Sequence, residues 1–215
     1  MTRAPMRVVL LGAPGSGKGT QGAVVADRLD VPYVSTGELL RAEVVEGTEL
    51  GRQVAPILDR GELVPDDLVV AAIRSRLQPM TATRGWVLDG FPRTVAQARH
   101  AGSLVRADAV VYLGIPDDVA RHRLAERAPG GRSDDADPQV IERRLRVFHT
   151  ETEPLLGFYR ERDLLRTVDA TEAPADVTEA IMDQLGGVRR RGPTGRAGRG
   201  GRGRRASRWR RSSRP

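Results

Sequence analysis

A chain of 215 residues, 39% hydrophobic and 29% charged, suits one domain with a good-sized core plus short appendages. It has no cysteine for a disulfide frame or a thiolate zinc site, no apolar run near the ~20 residues of a membrane span, and no signal-peptide core in its first residues, so a cytoplasmic location is expected. The net charge of +7 sits at one end: of 35 basic residues, twelve lie within residues 186–215, where there is no acid, so residues 1–185 carry 23 against 28 acidic residues, a net −5.

Residues 1–5 read as a short extension, and either Met1 or Met6 could be the start of translation. Arg7 to Thr20 then reads Arg-Val-Val-Leu-Leu-Gly-Ala-Pro-Gly-Ser-Gly-Lys-Gly-Thr. The apolar run Val8 to Leu11 is a buried strand, and it breaks into Gly12, Gly15, Gly17 and Gly19 before a helical pattern begins. That order is the context of a phosphate-binding loop. Glycines let successive backbone N–H groups converge on phosphate oxygens, and the helix N-terminus adds a favourable dipole. Lys18 is the chain's only lysine, a compact cation on a flexible stem that can reach the outer phosphates. The generic motif has Ser or Thr directly after the lysine, whereas Gly19 and then Thr20 follow here.

The helix from Gln21 to Leu29 buries Val24, Val25 and Leu29, and Tyr33-Val34 is a short strand. A helix is expected from Glu38 to Glu46, carrying Arg41, and Thr48 caps another with Leu50, Val54, Ile57 and Leu58 on one face. Gly61 stops it, and Pro65-Asp66-Asp67 opens the next. Trp86 to Asp89 is a third strand, leading into the loop Gly90-Phe91-Pro92-Arg93-Thr94 and a helix to about Ala101. Asp89 closes an apolar strand, where phosphate-loop proteins keep a carboxylate near Mg²⁺, and Arg93 offers a bidentate phosphate clamp.

Ala109 to Leu113 is a fourth strand, and Asp117 caps a helix reaching Arg127. Asp137-Pro138 places an acid at a helix cap and proline in its first turn, opening a helix that runs towards Arg160 and is bent or broken at Pro154. Arg166 to Asp169 is a fifth strand, and Pro174 to Leu185 a closing helix stopped by Gly186-Gly187. Strands without polar alternation, alternating with helices, predict an α/β fold: a doubly wound, five-stranded parallel sheet with ligands beyond the strand carboxyl ends. His100, His122 and His149 show no metal-ligand spacing and read as surface residues.

Two strings, Gly-x-Pro-Gly-x-Gly-Lys-Gly-Thr and Asp-Gly-Phe-Pro-Arg-Thr-x-x-Gln, resemble those of the nucleoside monophosphate kinases, the adenylate kinases above all, and the match runs over about residues 6–185. The resemblance implies a P-loop NTPase-type sheet with a helical monophosphate-binding insert at 35–64 and a short lid at 128–137, acting as a monomer. The implied reaction is ATP + AMP ⇌ 2 ADP with Mg²⁺ and no zinc. By the same likeness Gly15, Ser16, Gly17, Lys18, Gly19 and Thr20 hold ATP phosphates, with Arg127 and Glu172 also on the ATP side. Asp89 reaches Mg²⁺, directly or through water.

On the acceptor side the likeness assigns AMP to Thr36, Arg41, the backbone of Glu62, Leu63 and Val64, and the loop Gly90, Phe91, Pro92 and Arg93. Leu58 walls the base and Gln97 bonds the adenine edge; Thr36 and Gln97 together favour AMP over pyrimidine nucleotides. Arg123 and Arg127 resemble the pair at the hinge of the lid, and Arg132, followed by Asp134-Asp135, the lid arginine. Its distal partner is Arg143 or Arg144, and alignment back from Arg144-Leu145-Arg146-Val147-Phe148 favours Arg144. Lys18, Arg93, Arg123, Arg127, Arg132 and Arg144 are thus the expected catalytic set.

Two readings of the Gly/Arg/Ser-rich stretch 188–215 stay open. It is too poor in apolar residues to pack a core, so it is either an unselected disordered extension or an arm whose arginines, with Trp209 for stacking, bind nucleic acid.

Overall fold

The computed structural model describes residues 6–80, 85–100, 105–127 and 137–188. The expected extension at 1–5, all of the short lid but Asp137, its Arg132, and residues 189–215 of the tail lie outside the described residues. Five strands, β1 (Arg7–Gly12), β2 (Tyr33–Ser35), β3 (Trp86–Asp89), β4 (Ala109–Gly114) and β5 (Leu165–Asp169), form one parallel sheet in the order β2-β3-β1-β4-β5. The apolar runs explain the layering. Side chains alternate across a strand, so Val8 and Leu10 face one side of the sheet and Val9 and Leu11 the other.

Helices α1 (Lys18–Leu29) and α9 (Pro174–Gly186) cover the first face through Val25, Ile181 and Leu185. The second face packs against Val54, Ile73, Phe91 and Leu155, supplied by α3 (Glu49–Asp59), α4 (Asp66–Met80), the loop after β3 and α8 (Pro154–Arg160). Helix α2 (Thr36–Val45) packs on β2, β3 and α3, and α5 (Val95–His100) on α8, while α6 (Asp117–Arg127) and α7 (Pro138–Val147) share a smaller core of Leu124, Ile141 and Leu145. Ser35 and Leu10 both pair with Asp89, so the ends of β1, β2 and β3 open at one edge of the sheet.

Two helices begin earlier than their apolar periodicity suggests, for local reasons. Gly17, left-handed at φ 87°, ends the loop and lets α1 start at Lys18 rather than Gln21. Ser35 caps α2, its hydroxyl accepting the Glu38 N–H at 3.4 Å, so Thr36 and Gly37 already belong to that helix. Thr48 caps α3 by accepting the Gly51 N–H at 3.0 Å, and Asp137 caps α7 through the Gln139 N–H at 2.8 Å.

The long helix expected to bend at Pro154 divides there. Proline lacks an N–H, and its ring clashes with the carbonyl four residues back. Residues Phe148–Thr152 accordingly form a wide π turn, closed by a Glu153 N–H bond to Phe148 O at 2.9 Å, before α8 resumes. This turn buries Phe148 and leaves His149 outside.

His149 is on the surface, as expected, yet engaged: its Nδ1 meets Glu153 at 2.8 Å and its Nε2 meets Asp117 at 3.0 Å. The hydrogen bond to Glu153 raises its pKa above the ordinary imidazole value; burial opposes this, and the hydrogen bond to Asp117 adds to the rise. A raised folded pKa contributes stability that is complete below the unfolded value, about 6.5, and is lost as pH climbs through the folded value. The loss on going from pH 6 to pH 8 should therefore be smaller in His149→Gln than in the parent, as thermal melts at the two pH values would record.

Candidate active site

The loop after β1 is built to expose backbone N–H groups. Gly15 (φ 82°) turns where a Cβ would lie 2.7 Å from the Ala120 carbonyl oxygen, so only glycine lets α6 pack this close. Ser16 is 1% exposed and its N–H bonds Ala13 O at 3.1 Å, which closes the turn. Lys18 lies across the loop, its Nζ donating to Gly12 O at 2.7 Å and Ala13 O at 2.8 Å. The loop thus carries its own counter-charge beside a row of donors.

At the end of β3, Asp89 is 7% exposed. Its Oδ2 accepts from the Tyr33 hydroxyl at 3.3 Å, while Oδ1 is buried with no hydrogen-bond partner. Burial, then the Asp89 charge, pushes the Tyr33 phenol well above its usual range, so it stays a donor. The Tyr33 ring fits against Gly22 of α1, where a Cβ would overlap it. Thr36 is equally committed: its hydroxyl donates to Asp89 O at 3.2 Å. Gly90, at φ 85°, leaves room for that hydroxyl, which a Cβ would strike.

The next loop, with a cis Phe91-Pro92 bond, brings Arg93 round so that its Nε donates to Gly90 O at 3.0 Å. Gln97 is 3% exposed and held at both ends of its amide: Oε1 accepts the Arg93 N–H at 2.6 Å, and Nε2 donates to Asp66 Oδ1 at 2.6 Å. Arg41 folds over Gly37, whose missing side chain makes space for the guanidinium.

One cleft joins these parts. Its lining includes Gly15, Gly17, Lys18, Gly19 and Thr20 of the first loop, Thr36, Arg41, Leu58, Glu62, Leu63, Val64, Gly90, Pro92, Arg93 and Gln97, and also Asp89, Arg127 and Arg144. Of the two adjacent arginines, Arg144 lines the cleft with its stem on Gly61, whereas Arg143 turns to Glu62 Oε1 at 3.6 Å and Arg60 O at 3.5 Å.

Other expected residues lie elsewhere. Ser16 and Phe91 sit beneath the surface rather than on it. Arg123 donates to Ala170 O at 2.8 Å and Thr171 O at 3.2 Å, tying α6 to the loop after β5. Glu172 stands on that loop and lines a separate depression with Asp169 and Asp176. Arg132 is outside the described residues. Sequence reading passed over Tyr33 and Asp66 as parts of the site. Tyr33 looks like any strand aromatic, and nothing in the spacing joins Asp66 to a glutamine 31 residues away.

A family model described as adenylate kinase matches residues 10–164. The chain is 44% identical over 189 residues to an adenylate kinase of Cyanothece sp., covering 84% of this chain and 97% of that relative. It is 42% identical over 196 residues to one of Parvibaculum lavamentivorans (87% and 95% covered) and 43% identical over 185 residues to one of Thermobifida fusca (84% and 98% covered).

Proposed function

Since the chain belongs to the adenylate kinase family, we propose that it moves a phosphoryl group reversibly between ATP and AMP, giving two ADP, and so balances the adenine nucleotides of the cytoplasm. The observation that carries this reading is the single cleft shared by the Lys18 loop and the Thr36–Gln97 pocket. A donor phosphate on the first and an acceptor phosphate on Arg41 and Arg93 would meet above Asp89.

Such a reaction needs little acid–base help. The acceptor is already an anionic phosphate oxygen, and rate comes from alignment and from neutralising charge spread over the moving group. Lys18 and the loop N–H groups that stay open to the cleft hold the donor phosphates. Leu58, Leu63 and Val64 wall the acceptor base, with Gln97 at its polar edge. Arg127 and Arg144 supply positive charge over the gap, Arg132 joins them from the lid, and Arg123 and Glu172 position the donor side. Closing the lid excludes water, which would otherwise compete as acceptor.

The residues present fit Mg²⁺. Asp89 Oδ1 is an orphaned buried acceptor, and among the described residues no three His, Cys, Asp or Glu side chains converge on a metal-sized space. Mg²⁺ keeps most of its waters and is held by one or two carboxylates plus substrate phosphates. Asp89 would hold it, and the ion supplies neutralisation of the β- and γ-phosphates when bound. The enzyme needs no zinc and works as a monomer; among the described residues no helix is long and apolar enough to cross a membrane.

The test is a panel of AMP, GMP, CMP and UMP as acceptors at fixed Mg·ATP, followed by nucleoside diphosphate formation. AMP should exceed each of the others by orders of magnitude; equal or better use of a pyrimidine nucleotide would overturn the reading. Within that assay Arg144→Ala should lower kcat/KM by roughly 10²-fold, as loss of a charge-stabilising donor does, while Arg143→Ala stays within about twofold.

A second reading concerns the tail. Twelve arginines and no acid within 186–215 suit a phosphate backbone. RNA should retain the full chain at low salt and release it as salt rises, and cutting after Leu185 should abolish retention without slowing phosphoryl transfer. No retention of the full chain leaves the tail an inert extension.

A further inference from the structure

Asp66 holds one end of the Gln97 amide. The amide of Gln97 can point two ways, and its chemistry at the two ends decides which. The Arg93 backbone N–H can only donate, so the atom facing it at 2.6 Å is Oε1. An ionised Asp66 carboxylate can only accept, so the atom facing it at 2.6 Å is Nε2. A half-turn of the amide would set oxygen against carboxylate and N–H against N–H, losing two hydrogen bonds at a side chain 3% exposed. Gln97 is therefore locked, with one N–H and one lone-pair direction left for the cleft it lines.

Those remaining groups form a fixed donor–acceptor pair. Adenine offers the complement on its Watson–Crick edge, an acceptor at N1 and a donor at the 6-amino group. Guanine and hypoxanthine offer the reverse, N1–H and O6, which only the flipped amide could satisfy. We infer that Asp66, at the first turn of α4, is a specificity-determining positioning residue: by fixing the orientation of the Gln97 amide it rejects 6-oxopurine monophosphates. It touches no substrate itself. The inference rests on the acceptor reading given above.

The test compares AMP with IMP, which differs from AMP only at this edge, at fixed Mg·ATP in the wild type, Asp66→Asn and Asp67→Asn. Asparagine offers either an acceptor or a donor to Gln97, so one of the two locks is removed. The ratio of kcat/KM for AMP over IMP should fall by tenfold or more in Asp66→Asn, through a raised KM for AMP and a gain with IMP. The KM for ATP and the melting temperature should stay near the wild type. Asp67→Asn makes the same charge change in the same helical turn and should keep the wild-type ratio. A smaller fall than tenfold, parallel losses with both acceptors, or an equal effect of Asp67→Asn would overturn the inference. A wild type that does not favour AMP would instead sink the acceptor reading itself.

Discussion

Lys18→Met should cut turnover by roughly 10²–10³-fold, the usual cost of removing one preorganised charge from a developing transition state. Methionine matches the length of the lysine stem, so packing along the loop is kept while the ammonium is lost. The ammonium donates to the Gly12 and Ala13 carbonyl oxygens. Those two oxygens lose a donor in the variant, a modest penalty because the ladder between β1 and β4 is made by the backbone and not by Lys18. Circular dichroism and melting should therefore resemble the parent while steady-state ADP formation collapses. An arginine would be no substitute: the chain has 34 of them and uses none here, and a planar fork cannot fold back over so tight a turn.

Asp89→Asn should cost roughly 10–100-fold in activity, the range seen when a group orienting a metal's shell is changed. The variant isolates charge from shape. Oδ2 already receives the Tyr33 hydroxyl, and an amide oxygen can still accept it. Oδ1 is buried without a hydrogen-bond partner, so the wild type carries an uncompensated acceptor that the substrate-bound ion would satisfy. Without Mg²⁺ the variant should melt no lower than the parent. Titrating Mg²⁺ at fixed ATP should show half-maximal activity displaced to higher concentration. Unchanged Mg²⁺ dependence would remove Asp89 from the metal site.

Much of this was legible in the chain before any coordinates. The apolar runs at Val8 and Ala109, with glycine breaks after the first, announce a buried parallel sheet, and the order β2-β3-β1-β4-β5 places the two loops that carry the motifs side by side. Local capping was less visible. Gly17 and Gly37 argue against helix by propensity, but a left-handed turn and the Ser35 cap start α1 and α2 at those points. Pro154 signalled a break without telling its form, because a π turn depends on which carbonyls the widened backbone can still reach. Counting from Arg132 points to Arg143, whereas alignment back from Phe148 favours Arg144. The rotation of α7 against Gly61 turns Arg144 into the cleft and Arg143 to Glu62.

The partners of Gln97 were invisible for a different reason. Asp66 reads as an ordinary acid at a helix start, and its contact with Gln97 exists only because α4 and α5 meet beside the cleft. Arg123 and Glu172 lie outside that cleft among the described residues, Arg123 bonded to the carbonyls of Ala170 and Thr171.

Crystals grown with two adenosines joined by a chain of five phosphates would test most directly whether two nucleotides lie end to end over β1 and β3. Density should fill both halves of the cleft, with one base against Gln97 and the phosphate chain passing Lys18, Arg93 and Arg144. An empty pocket between Thr36 and Gln97, or one filled by the protein's own side chains while the other half is occupied, would contradict the account.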